Sequence, residues 1–535
     1  MRILLCVIVC LFPVLAPASD TWEDVERVVA VGDVHGAYDQ LESLLIAAEV
    51  MDASKQWTGG ATHLVSLGDL LDRGPGSRKA MDLLMRLQAQ APASGGIVHV
   101  LLGNHELMNL TGDLRDVSDA EYAALTNIGG HRAAFSTHGP YGKWLITLPF
   151  IIRINDTVFT HGGLPQLVAD MDIESINNSA RQDLMTLLQE GARLRGENLL
   201  PPTGDLTLAG LDADETLQPM LGQAFLEAAN STLLGARGPL WYRGTASCHP
   251  LLETSALRST LSALGAKRVV VGHTPTPDRQ INSRMDGAAY IIDTGMLAQV
   301  YKGKPRALEI TPASMRGLDA TGAVAAITAL PKPDPIDTLS QESYETSVND
   351  AGETELAFES GLQGRFVKLS QRAANRAIAA YRLDRHLGLY MVPATVQRDV
   401  DGDSGVVMAW GGRPFNEQFR VERNLVRPNY CQQSADYALL AAFDALQGKT
   451  DRSQLNLSYD RRNWQIRITE NHQSFGTSGR LPATAYKPTL PAGLAPGLEG
   501  LTTESLQQLF ADLLGKREIK ALLKRRDEVL TWPRA

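Results

Sequence analysis

RVVAVGDVHG, residues 27–36, is the stretch whose reading decides the fold. A β-branched run from Arg27 to Val31 stops at Gly32-Asp33, and the segment from Tyr38 to Val50 then sets Leu41, Leu44 and Leu45 at helical spacing. The figure recurs. THLVSLGDLLDRG, residues 62–74, is a strand that ends on Gly68-Asp69, followed by an amphipathic helix over 77–90. IVHVLLGNHE, residues 97–106, is a third strand, ending on Gly103-Asn104-His105. Residues 151–160 and 268–271 repeat the theme and end at His161 and at Gly272-His273. Strands that alternate with helices and stop at glycine or a polar residue predict an α/β or α+β sandwich with its site at the strand ends.

Outward from that core, the length of 535 residues exceeds what one hydrophobic core organises, so two domains are expected. A hydrophobic content of 44% and a charged content of 21% are those of a folded globular chain, which excludes general disorder, collagen and coiled coil. The formal charge of −9 argues against broad electrostatic binding to nucleic acid. Residues 1–18 have the make-up of a signal peptide: Arg2, an apolar run from Ile3 to Leu15, and Ala16-Pro17-Ala18 as the small-x-small cleavage pattern. A periplasmic or secreted protein is therefore expected, with no stable membrane span after cleavage. Of four cysteines only Cys248 and Cys431 would remain, and both a disulfide and two separate thiols stay open.

The predicted organisation is a first domain over 25–315, with a helical cap or insertion at 165–235, and a second domain over 356–535. Between them, 316–355 is expected to be a linker: Pro331, Pro333 and Pro335 open it, and Asp334, Asp337, Glu342, Glu345, Asp350, Glu353 and Glu355 accumulate without a basic residue.

The first domain holds five separated clusters suited to two divalent metals: GDVHG (32–36), GDLLDRG (68–74), GNHE (103–106), HGG (161–163) and GHT (272–274). A bridging carboxylate can hold two cations a few ångströms apart, and mixed imidazole and carboxylate ligands suit Mn²⁺ or Fe/Zn better than Ca²⁺. Each fragment alone is an ordinary turn. Their joint occurrence, each after a strand, resembles the phosphoprotein phosphatase branch of the calcineurin-like metallophosphoesterases over residues 27–310. GPLWYRG (238–244) and GNHELMNLTGD (103–113) resemble its Shewanella-like phosphatase subgroup.

The resemblance implies a β-sandwich flanked by helices and a dinuclear centre. Asp33 and His35 would hold the first metal, Asp69 would bridge, and Asn104, His161 and His273 would complete the second. His105 would be a general acid rather than a ligand, held by Asp72. Arg73 and Arg243 would bind the phosphate, since guanidinium offers paired donors to two oxygens. Glu106 fits an orienting role, Trp241 and Tyr242 fit ordinary packing, and Arg132 fits a solvated surface position. The implied activity is phosphomonoester hydrolysis of a phosphoprotein or phosphopeptide by a metal-activated water. The alternatives are a dinucleoside polyphosphate hydrolase and a catalytically inert binding or regulatory module.

The second domain is an α+β unit, with a strand over 365–369, a helix over 375–387 and a closing helix over 520–529. Asp451, Asn456 and Glu470 resemble the C-terminal lobe of atypical kinase-like proteins, with Lys368 where a phosphate-binding lysine would lie. Arg376 in place of the expected helix glutamate, and Glu470 in place of the expected aspartate, depart from that pattern. A nucleotide or a protein partner is the ligand such a domain would take, and an unrelated accessory domain is the alternative.

Overall fold

The computed structural model describes residues 20–206, 218–349, 352–411, 414–428, 430–461, 463–482, 488–510 and 512–534. The expected signal segment lies outside them. No helix among the described residues is long and apolar enough to cross a membrane.

The first domain is a sandwich of two mixed sheets. In one, Val28–Val31 sits between His63–Ser66, parallel to it, and Arg306–Ile310, antiparallel, with Ile97–Val100 beyond. In the other, Thr157–Thr160, Arg268–Val271 and Ala289–Ile291 run parallel side by side. All four residues of Val28–Val31 are buried, as a central strand covered on both faces requires. Period-two alternation divides them. Val28 and Ala30 face the inter-sheet core with Ile152, Phe159 and Val270, whereas Val29 and Val31 pack among the helices. The helix Tyr38–Ala47 has no side-chain cap at Ala37. Its fully buried Leu41, Leu44 and Leu45 are each worth ~1.5–3 kcal/mol, more than the ~0.5–2 kcal/mol a cap supplies, so packing decides the helix.

Register brings the site together. Val31 pairs with Ser66, and Ser66 with Val100, so the turns after those strands leave the sheet level with one another. Thr160 pairs with Val271, and Val271 with Ile291, which places His161, His273 and Asp293 at one end of the other sheet.

The span expected to be linker is largely regular structure. Met315–Asp319 and Val324–Ala325 extend the first sheet, Ile327–Ala329 extends the second, and Ile336–Gln341 is a helix. Tyr344–Val348 is already an edge strand of the second domain's five-stranded antiparallel sheet. Most of that edge strand is exposed, so its polar composition reflects a solvated edge rather than an unstructured tether. The helix Gln371–His386 lies against this sheet through Ala374, Ala377, Ile378 and Val406. A second lobe packs Gln433–Gln447 and Lys516–Val529 around Phe443, Leu446, Phe510 and Leu522. Cys248 of the first domain and Cys431 of the second form a disulfide, which resolves the open alternative.

Candidate dinuclear metal centre

Two groups of ligating side chains share Asp69: His35, Asp69 and His105 form one, and Asp69, His161 and His273 the other, with the atoms of each within 4.8 Å of one another. All are buried. The turns that present them are strained, since His35, Asp69, Asp72, Arg73 and His273 all have positive φ, a conformation costly for residues with a Cβ. Gly68 and Gly103 make the crowding possible. A Cβ on Gly68 would lie 2.5 Å from the Gly103 nitrogen, and one on Gly103 would lie 2.4 Å from Asp69 Oδ1.

Hydrogen bonds fix the ring nitrogens. His35 Nδ1 faces the Leu71 carbonyl at 3.0 Å, so Nδ1 carries the proton and Nε2 presents its lone pair, 3.6 Å from Asp69 and 2.8 Å from Arg73 Nη1. His161 Nδ1 donates to the Leu67 carbonyl at 2.8 Å, and its Nε2 lies 2.8 Å from Asn104 Oδ1 and 3.3 Å from Asp69 Oδ1. His273 Nε2 is buried with no hydrogen-bond partner. Asp33 accepts the His273 backbone N–H at 2.9 Å and lies 3.9 Å from His35 Nε2.

Charge tells the same story. Burial, with Asp293 and Asp69 nearby, raises the Asp33 carboxyl well above its usual range. Burial opposes charge on His161, but Asp69, Asp33 and Glu106 together outweigh it and push the imidazole up to about 9. Burial takes His35 down to about 3 and His273 well below its ordinary value. The field that favours a proton on His161 favours any cation there, while His35 and His273 offer neutral nitrogen lone pairs. This donor set of acidic oxygens and neutral imidazoles therefore fits divalent metals.

His105 is built differently. Its Nδ1 lies 2.5 Å from Asp72 Oδ2, and its Nε2 stands 3.9 Å from both Asp69 and Asp116. Burial works against its charge, yet Asp69 and Asp72 raise its pKa above the ordinary value. An imidazole whose proton two carboxylates favour, aimed at the centre, is the arrangement a general acid needs. Asp72 is itself held by Asn109 Nδ2 at 2.9 Å and, through its backbone N–H, by Glu121 at 3.2 Å. Glu106 accepts the backbone N–H groups of Asp69, Leu70 and Gly103, each at 2.8 Å, and so orients two ligand turns at once.

Arg73 reaches His35 Nε2 at 2.8 Å, Asp116 at 3.4 Å and the Tyr301 hydroxyl. Arg243 donates to the His273 carbonyl at 2.7 Å and to Thr274 Oγ1 at 3.1 Å. The two guanidiniums thus stand beside opposite members of the paired donor groups. Trp241 packs edge-on to His273 at 5.9 Å, and Tyr242 donates to Glu253. Arg132 is exposed.

Sequence reading missed Asn109, Glu121, Asp293 and Tyr301. Asn109 left a signal: it lies one turn after His105 on a helix, Asn104–Thr111, in which every residue is buried, so its amide needed a buried partner. Asp293 and Tyr301 carry no comparable mark, because only the fold brings them to the centre.

In the second domain, Asp451 pairs with Lys449 at 2.6 Å, and Asn456 donates to Glu470 at 3.2 Å. Lys368 pairs with Asp403 at an exposed position, and Arg376 pairs with Glu518. Lys368 thus pairs with Asp403, apart from the contacts that link Asn456 to Glu470 and Asp451 to Lys449.

The calcineurin-like phosphoesterase family model matches residues 26–277. The chain is 28% identical over 285 residues to Shewanella-like protein phosphatase 1 of Plasmodium berghei, covering 52% of this chain and 69% of that protein. It is 28% identical over 335 residues to Shewanella-like protein phosphatase 2 of Arabidopsis thaliana, covering 54% and 76%. Among solved structures, it is similar to the cold-active protein-tyrosine phosphatase of a psychrophilic Shewanella species, at 27% identity and a TM-score of 0.45, covering 57% of this chain and 81% of that one.

Proposed function

We propose that the chain, a hydrolase of the phosphatase type whose residues 26–277 match the calcineurin-like phosphoesterase family, removes phosphate from phosphoprotein or phosphopeptide substrates. One observation carries the reading: a buried His105–Asp72 pair at 2.5 Å beside a carboxylate-bridged donor set. A phosphoserine or phosphothreonine alkoxide is a poor leaving group and needs a proton, which this pair is placed to give. Asp33, His35, Asp69, Asn104, His161 and His273 would hold two divalent cations, Mn²⁺ or Fe/Zn by donor type, which supply phosphoryl polarisation and a nucleophile at neutral pH. Arg73 and Arg243 would bind the phosphate oxygens. His105 would protonate the departing oxygen, and Asp72 would hold its ring in position.

We place the protein in the periplasm or outside the cell. The disulfide supports this, because such bonds persist in oxidising compartments.

The test is a phosphopeptide array with purified protein, run with Mn²⁺ and with chelator, beside diadenosine tetraphosphate. Chelator-sensitive phosphate release from peptides is expected. Abundant ADP from the dinucleotide with negligible peptide turnover would replace this reading with dinucleotide hydrolysis, and no turnover of either with metal bound would indicate an inert module.

A further inference from the structure

Beside Arg243 the two domains enclose a cavity of about 760 Å³. Arg243, Ser247 and Thr274 line it from the first domain, and Tyr390, Trp410 and Tyr430 line it from the second. Thr274 directly follows His273, so the cavity opens next to the metal centre.

The segment from Arg243 to Leu252 is gripped from both sides. From within the first domain, buried Arg284 donates to the carbonyls of Thr245 and Cys248, each at 2.5 Å. From the second domain come three contacts. Cys248 is bonded to Cys431. His249 Nε2 donates to the Leu389 carbonyl at 2.8 Å, and its Nδ1 accepts the Leu251 N–H at 3.2 Å. Leu251 and Leu252 pack against the second domain's core, so closely that a Cβ on Gly493 would lie 1.9 Å from the Leu251 carbonyl oxygen. Tyr430 is the neighbour of Cys431, is hydrogen-bonded to Ser247 and lies within electrostatic reach of Arg243.

The lining says what fits. Arg385 is paired with Asp334 at 2.6 Å, and Lys332 with Asp278 at 2.8 Å. Those two cations are therefore already compensated and Arg284 is committed to backbone carbonyls, so of the remaining lining cations, Arg243 and Arg467, Arg243 is the one beside His273. Away from it the wall offers three half-buried aromatic rings and several prolines, which lack an N–H donor. Asn282, Asn463 and Gln465 stand among them, so the wall suits a peptide, with apolar side chains against the rings and backbone amides on the polar groups. A volume of 760 Å³ lies within the ~300–1,000 Å³ of sites that bury most of an occupant.

We propose that this interdomain cavity is the peptide side of the substrate site: it takes the residues flanking the phosphorylated one, selects an apolar or aromatic neighbour through Trp410, Tyr390 and Tyr430, and makes the second domain a specificity element of the phosphatase. The proposal deepens the phosphopeptide reading and rests on it.

The experiment compares full-length wild type, Trp410→Ala and Tyr430→Ala, each metal-loaded, on three substrates: a phosphopeptide with leucine and phenylalanine beside the phosphoresidue, the same peptide with glycine and serine there, and an aryl phosphate as reference. Wild type should favour the apolar peptide by tenfold or more in kcat/KM, and both variants should erase that preference mainly through KM. Trp410 lies outside the apolar cores of the described residues, so its variant keeps the test decisive if Tyr430→Ala does not fold. Variants that retain the wild-type preference, or a wild type without one, overturn the cavity assignment while peptide hydrolysis stands. A wild type that cleaves the aryl phosphate but no phosphopeptide overturns both readings.

Discussion

The His105 ring nitrogen Nε2 lies 3.9 Å from the Asp69 carboxylate, yet the geometry gives the two residues opposite duties. Asp69 belongs to both donor groups, whereas His105 has one ring nitrogen committed to Asp72. Asp69→Asn should therefore lower metal content at both positions, because an amide cannot offer two anionic oxygens; a variant that retains two metals and full activity would rule out bridging. His105→Ala should keep its metals. Its turnover on a phosphoserine peptide should fall by roughly 10²–10⁴-fold, the usual size of a general-acid contribution. The loss should be smaller on an aryl phosphate, since a phenolate departs with little help from a proton. His105 does stand within ligating distance of Asp69 and His35, so the rival view makes it a metal ligand. That view requires metal loss together with equal loss on both substrates, and metal analysis beside two-substrate kinetics separates them.

Strands carry a prediction that has nothing to do with catalysis. His63 on one strand and His99 on the next meet at 3.1 Å, and Trp22 covers His99 with ring centroids 4.2 Å apart. Burial holds His99 down to about 3 and lowers His63 as well. Unfolded, each titrates near 6.5, so the unfolded chain binds more protons as pH falls. The stability that depends on a neutral His99 is therefore complete above about pH 6.5 and is lost as pH drops towards about 3, at ~1.4 kcal/mol per pH unit, and the lowered His63 acts in the same direction. His99→Gln should flatten the slope of urea midpoint against pH between 6.5 and 4.5; an unchanged slope assigns acid sensitivity elsewhere. This pair shows how much of each element was legible. Strand and helix identities followed from β-branched runs and leucine spacing, because burial on one or two faces imposes a period. Helix ends were less legible: the segment expected from Tyr38 to Val50 ends at Ala47, where the chain turns before the left-handed Glu49. The motif residues His35, Asp69, Asn104 and His105 were legible because each follows closely on a strand, the first two in a turn and the last two at the start of a helix. Asp293 and Tyr301 were not, since nothing local distinguishes a buried aspartate at the metal centre from one in a turn. The linker was misread because acidic residues spread over a short helix, an exposed edge strand and the strand beside it, such as Asp337, Glu345 and Glu355, have the same composition as a solvated tether.

At the scale of the whole chain, two sets of cores are joined by a bond between residues 183 positions apart. Closing a loop of that length removes much chain entropy from the unfolded state, which the chain-entropy relation puts at about 5 kcal/mol. The junction also has a noncovalent part. It includes the His249 bond to the Leu389 carbonyl, worth ~0.5–1.5 kcal/mol net, and the packing of Leu251 and Leu252 into the second core. Each domain retains its own apolar clusters without the disulfide, so reduction should loosen the junction and leave both folds standing. Calorimetry should then show the oxidised protein melting higher than the reduced one by on the order of 10–20 °C, given about 2–4 °C per kcal/mol for domains of this size. The reduced protein should also resolve into two transitions, because the covalent coupling between domains is gone. A Cys248→Ser, Cys431→Ser double variant should match the reduced wild type and show no further shift with reductant, which separates the bond from any other effect of the reagent. Identical melting of oxidised and reduced wild type, as one unchanged transition, would mean that the noncovalent junction alone couples the domains and that the bond adds nothing to their cohesion.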